Sequence, residues 1–215
     1  MNLPFTHDQF LNVFAAYNHA LWPAVALLWA ATAFVVLRWV RQGEEESRAV
    51  TLLLAVHWLW SGIIYHFLFF RPINPSASVF GGLFVLQGVL FAWLATKPGR
   101  LQFVRSGSLG HIVGLVFMAY GLLYPLLGVA LGLQYPRMPT FSVPCPTTIL
   151  TAGFLLVTTP SFPRWLCVVP IIWAAVGGSA AFVLDVRADM MLMVAGLVLF
   201  VRTFAPKLLR IRSTT

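Results

Sequence analysis

An all-α bundle of seven transmembrane helices is the fold that this sequence predicts. Seven apolar stretches occupy most of the 215 residues, and 60% of the chain is hydrophobic against 9% charged, with a mean hydropathy of +0.86. A water-soluble domain of this size could not bury that much apolar surface. The charges between the stretches fall almost entirely on alternate loops, which is the pattern of a chain that crosses a bilayer repeatedly.

A helix needs about 20 apolar residues to cross the hydrocarbon. By that measure the spans fall at about 18–40, 49–70, 78–96, 108–133, 143–159, 165–184 and 189–205 of one transmembrane domain. Thr6-His7-Asp8-Gln9 has the form of a capping box, and Phe10, Val13, Phe14 and Tyr17 then recur at helical spacing. Residues 1–17 are therefore expected either to lie in the outer interface or to run straight into the first helix. The first apolar span begins near His19 after no Lys or Arg, so no cleaved signal peptide is expected. The loop Gln42 to Ser47 holds half of the acidic residues and reads as a solvated loop.

Small residues mark helix contacts. Gly110 and Gly114, and Gly128 and Gly132, repeat a small-xxx-small spacing on the fourth span, and Gly177 and Gly178 open a run of small side chains on the sixth. The odd number of spans and the lack of an internal repeat argue against a duplicated transporter.

The basic residues fix the orientation. With the amino terminus outside, Arg38, Arg41, Arg48, Lys97, Arg100, Arg105, Arg164, Arg202, Lys207, Arg210 and Arg212 are on inner segments, and only Arg71, Arg137 and Arg187 are on outer ones. Eleven against three predicts a cytoplasmic carboxyl terminus. The formal charge of +8 is thus assigned to topology and lipid headgroups, and no nucleic acid is expected as a partner.

This orientation gathers the polar side chains on the outer side. Tyr65, His66, Asn74, Cys145, Thr147, Asp185 and Asp189 are the candidate lining groups of an outer vestibule. Prolines stiffen the loops Arg71-Pro72-Ile73-Asn74-Pro75 and Tyr135 to Pro146, which either wall that vestibule or simply connect helices. Cys145 lies between two prolines where the fifth span starts, near the positive end of a helix dipole, a placement that favours a thiolate. Cys145 and His66 are the metal-ligand candidates, with a packed, inert thiol as the alternative. Cys167 is at the other end of the bundle, too far from Cys145 for a disulfide. His19 and His66 have similar depth and could supply two haem ligands; a hydrogen bond to a neighbouring helix is the commoner role for such a histidine.

Tyr65-His66-Phe67-Leu68-Phe69-Phe70-Arg71-Pro72-Ile73-Asn74-Pro75, the stretch Tyr135 to Thr148 and the stretch Trp173 to Asp189 resemble an uncharacterised family of bacterial multipass membrane proteins. The resemblance implies a multipass protein of the bacterial inner membrane and carries no catalytic residues.

Several activities are excluded on chemistry. No span contains the lysine that a retinal Schiff base needs, no carboxylate falls in mid-span, and no His-Glu-x-x-His or Gly-x-Ser-x-Gly motif is present. No enzyme is expected, and the sequence identifies no cofactor. Two functions remain: a small-solute or metal-ion permeation or binding protein with an outer vestibule, or a structural or assembly subunit of a larger redox or pigment-binding membrane complex. The expected partners are the lipid bilayer and either other subunits or a second copy of the chain.

Overall fold

Thr6 starts the first helix as the sequence predicts: its hydroxyl accepts the Gln9 N–H at 3.2 Å, and the Gln9 side chain accepts the Thr6 N–H at 2.8 Å. The computed structural model describes residues 4–159 and 161–205; Lys207, Arg210 and Arg212 lie outside the described residues. The chain is all-helical with several long apolar helices. Among the described residues the elements run α1 His7–Gln42, α2 Ser47–Trp60, α3 Ala77–Ala95, α4 Leu109–Ala130, α5 Pro144–Leu156, α6 Val168–Val183 and α7 Met190–Phe204.

Residues 7–17 belong to α1, which runs unbroken from His7 to Gln42. α1 has 36 residues, and Arg105 closes it by donating to the carbonyls of Val40 and Arg41, 3.0 Å each. The chain turns back at Gly43, whose φ of 73° is open to glycine at little cost. The acidic loop is a 3-10 turn, and Glu46 is not solvated: it is buried and pairs with Arg38 at 2.5 Å. α2 continues without a break as a π-helix over Ser61–Phe70. His7–Phe70, Ala77–Ala95, Leu109–Ala130 and Arg164–Val183 are long and apolar enough to cross a membrane. The first of these contains the turn at Gly43 and so doubles back.

Hydrogen bonds and an ion pair sort the loops into two ends. At the amino-terminal end Asp8 pairs with Arg137 at 2.6 Å, and the Tyr120 hydroxyl donates to the Ala188 carbonyl at 2.9 Å. At the opposite end the Trp39 indole donates to the Phe103 carbonyl at 3.0 Å, and Val104 N–H donates to Val157 at 2.7 Å. Arg202 Nη2 donates there to the Thr158 carbonyl at 2.9 Å. Large apolar side chains such as Leu27, Phe34, Val79 and Leu197 cover the outside.

α5 is the centre of the bundle. Each of its residues except Cys145 is buried. Its closest approach is to α4, where a Cβ on Gly114 would meet the Gly153 carbonyl oxygen at 2.7 Å and a Cβ on Gly153 would meet that of Gly114 at 2.7 Å. Only glycine on both sides lets the two backbones touch. Gly178 similarly faces Met193 of α7.

The other expected packing glycines differ in position. Gly110 leaves 3.7 Å to the nearest atom, Gly128 meets the ends of Met138 and Leu133 at 3.4 and 3.8 Å, and Gly177 lies against Trp173 of its own helix at 3.0 Å and Leu192 of α7 at 3.1 Å. Gly132 is not on a packing face: it follows α4 with φ 98° and open space around it. Gly62, Gly88, Gly121 and Gly196 make the close contacts that the spacing did not reveal.

Gly153→Leu is expected to cost about 1–3 kcal/mol or more through overpacking, because backbone cannot move aside as a side chain can. Gly110→Ala is expected to stay within about 0.5 kcal/mol of the parent. Thermal unfolding of both variants in detergent checks the difference.

Candidate functional site

At the amino-terminal end, the start of α5 lies beneath the ends of its neighbours and leaves a cavity of about 480 Å³. Its walls come from α1, the π-helix, α3 and α6, with Asp189 from the turn before α7. Seven aromatic residues line it: Phe5, Phe10, Phe14, Tyr65, Phe70, Phe80 and Trp173. Their rings lock one another both edge to face, with centroids 4.9 Å apart for Phe10 and Phe14 and 5.4 Å for Phe80 and Trp173, and stacked, at 5.6 Å for Phe14 and Tyr65. Such pairs add about 0.5–1.5 kcal/mol each beyond area burial, so the wall is stiff.

The polar groups of the cavity are few and convergent. Cys145 neighbours both Asp189 and Trp173. Asp189 accepts a hydrogen bond from the Tyr124 hydroxyl. At the mouth Asn74 accepts the Ser76 N–H at 3.2 Å, which fixes the loop after the π-helix.

Four of the seven sequence candidates, Tyr65, Asn74, Cys145 and Asp189, line the cavity. Three do not. Thr147 is buried beside Ser61 at 3.2 Å, Asp185 is exposed and faces Arg187 at 3.5 Å, and His66 lies behind the wall against Phe84 and Trp173. Neither His66 ring nitrogen has a hydrogen-bond partner among the described residues. His19 is exposed on α1 while His66 is fully buried, so the two do not face one site.

No group of three or more His, Cys, Asp or Glu comes together among the described residues. The thiol of Cys145 faces a carboxylate and aromatic rings, which is not the exposed, electropositive setting that the helix terminus alone suggested. Both cysteines are free.

The sequence did not single out Trp173, Tyr124 or the phenylalanines of α1 and α3 as site residues. Their signal was the outer position of several aromatics at helical spacing, which is equally the signal of a packed core.

The proline-rich loop forms the other wall. It is not a surface connector: Met138, Phe141, Ser142 and Val143 are buried. Asn18 Nδ2 donates to the carbonyls of Pro136 and Met138 at 2.7 and 2.9 Å, and the Thr140 hydroxyl donates to Asn18 Oδ1 at 2.6 Å. The Ser61 hydroxyl donates to the Ser142 carbonyl at 2.8 Å, and the Tyr17 hydroxyl to the Phe141 carbonyl at 3.2 Å. His57 completes the set. Thr32 spends its one hydroxyl proton on the Leu28 carbonyl at 2.7 Å, so at 2.8 Å it accepts from His57 Nε2–H. The neutral ring then accepts the Ser142 hydroxyl at Nδ1, 3.2 Å away. Serine and histidine here hold the loop; neither lines the cavity.

These features define an all-helical, apolar-surfaced bundle with one end opened by an aromatic cavity. The chain matches the model of a family of unknown function, DUF6064, over residues 7–212, and belongs to that family. No curated protein and no solved structure gives a significant match.

Asn18→Leu removes three hydrogen bonds and leaves buried carbonyls without donors, so a loss of about 2–4 kcal/mol is expected. Thermal unfolding measures it, and limited proteolysis should place the new cleavage between residues 133 and 143. Methyl methanethiosulfonate, a small neutral thiol reagent, should modify Cys145 and leave Cys167 unmodified in the folded protein. Mass spectrometry of the two cysteine peptides reads that outcome.

Proposed function

We propose that the chain is a multipass protein of a bacterial inner membrane that binds a small, mainly apolar solute in the cavity at its extracytoplasmic end. It crosses the bilayer seven times, with the amino terminus outside and the carboxyl terminus in the cytoplasm. It acts by binding and not as an enzyme. The cavity carries the reading: about 480 Å³ lies within the range of small-molecule sites, and a largely apolar lining with a few convergent polar groups is their usual make-up.

The charge distribution supports the orientation. Of the eleven described Arg and Lys residues, eight lie at the end opposite the cavity. The apolar exterior supports burial in lipid. Below the cavity the bundle is filled by Trp58, Phe84, Ile149, Leu150 and Phe154, all buried. That filling favours binding and release at one face over passage of an ion through the middle.

Alkaline phosphatase fused ahead of Met1 should be active in the periplasm and inactive when fused after Thr215; the reverse pattern would reject the orientation. For the binding reading, 1-aminoanthracene titrated into the protein in lipid nanodiscs should show saturable energy transfer from tryptophan. Ala180→Phe, which places a ring in the cavity, should abolish the saturable part. A titration identical to that of empty nanodiscs would reject the cavity as a binding site.

A further inference from the structure

Among the described residues the buried Asp189 carboxylate has no cationic partner, and the cavity it faces is walled by aromatic rings. We propose that the ligand of this cavity is a lipophilic ammonium ion, with its charge held by Asp189 and its substituents by those rings. The inference rests on the cavity being a binding site and names the chemistry of what it binds.

Asp189 differs from the other acids in its setting. Asp8, Glu46 and Asp185 each pair with an arginine and Glu44 and Glu45 are exposed to solvent, whereas no Arg, Lys or His among the described residues pairs with the buried Asp189. It is only 6% exposed. A buried carboxylate without a counter-charge is costly, and groups of this kind are normally paired or bound to a cation. The Tyr124 hydroxyl occupies Oδ1, and the thiol of Cys145 is a weak donor, so the charge is incompletely answered from within the protein.

The lining narrows the cation. Among the described residues it contains no Arg, Lys or His, so an anionic ligand would meet Asp189 with no such cation to offset it. A hard inorganic cation requires about six oxygen ligands, and the cavity offers one carboxylate with a few hydroxyl and amide groups, some of them at its rim. Ring faces, in contrast, attract organic cations within about 6 Å, and most strongly where water is excluded. Seven rings and one carboxylate match an ammonium group that carries apolar substituents. The same group exists as a free amine or quaternary ammonium compound and as the headgroup of choline lipids.

Phenyltrimethylammonium and tert-butylbenzene have the same shape and differ in charge, so they isolate the inference. In phosphatidylglycerol nanodiscs, phenyltrimethylammonium is expected to displace 1-aminoanthracene at concentrations about tenfold or more below those needed with tert-butylbenzene. Asp189→Asn keeps an acceptor for Tyr124 and should remove the preference while leaving displacement by tert-butylbenzene unchanged. If that variant does not fold, Phe80→Leu must weaken the cation several-fold more than its neutral isostere. Repeating the titration in phosphatidylcholine nanodiscs distinguishes the sources: a headgroup ligand competes and weakens phenyltrimethylammonium there, whereas a free ligand leaves it unchanged. Equal displacement by the two isosteres, or an equal loss for both in Asp189→Asn, overturns the inference. If 1-aminoanthracene binds but neither isostere displaces it, the inference fails and the binding reading stands; if 1-aminoanthracene does not saturate, both fail.

Discussion

The contact of Gly114 with Gly153 brings two helix backbones together, and the arrangement of the whole bundle follows from it. α5 is thereby drawn into the centre, where every side chain but one is covered. α5 also carries Thr147, Thr148 and Thr151, all buried, whose hydroxyls find partners inside the bundle that lipid would not offer. The α2 side seals it through Trp58, whose indole donates to the Thr151 hydroxyl at 2.9 Å.

Enclosure and shortness together create the cavity. α4 has 22 residues and α5 has 13, so α5 is shorter by roughly 13 Å at 1.5 Å per residue. The chain connecting them must therefore descend into the bundle before α5 begins. Buried backbone requires hydrogen-bond partners, and this requirement accounts for the polar side chains of Tyr17, Asn18 and Ser61, while His57 holds the Ser142 hydroxyl of the same loop. The space above Cys145 that the missing turns of α5 would have filled is the cavity itself.

Local features were the legible ones. The capping box at Thr6 needs only four residues, and the helix ends fall within a few residues of the apolar stretches except at the start of α1. Charges identified which loops share an end, because positive residues sort by side without reference to packing. The interior was not legible, since helices that are apolar nearly all round carry little periodicity to say which face turns inward. Hence Gly132 was read as a contact residue although it follows the helix, and Gly153 was passed over. Asp185 and Asp189 are four residues apart and look alike in sequence. One is exposed beside Arg187 and the other is buried beneath Tyr124, a difference set by how the 184–189 turn meets α4. Thr147 was placed at the right end but on the wrong side of α5.

The π-helix at Ser61–Phe70 has a consequence for the angular layout of α2. Each turn closed by an i→i+5 bond, such as that from Arg71 N–H to the His66 carbonyl at 2.9 Å, holds one residue more than an α-turn. Residues past Ser61 are therefore rotated progressively away from the positions that the regular helix below would assign them. His57 and Ser61 point at the descending loop, while Tyr65 and Phe70, farther along, swing round to the cavity. A single rod thus serves two different neighbours. The wide turns act as a built-in gear between the half of the helix that anchors backbone and the half that shapes empty space.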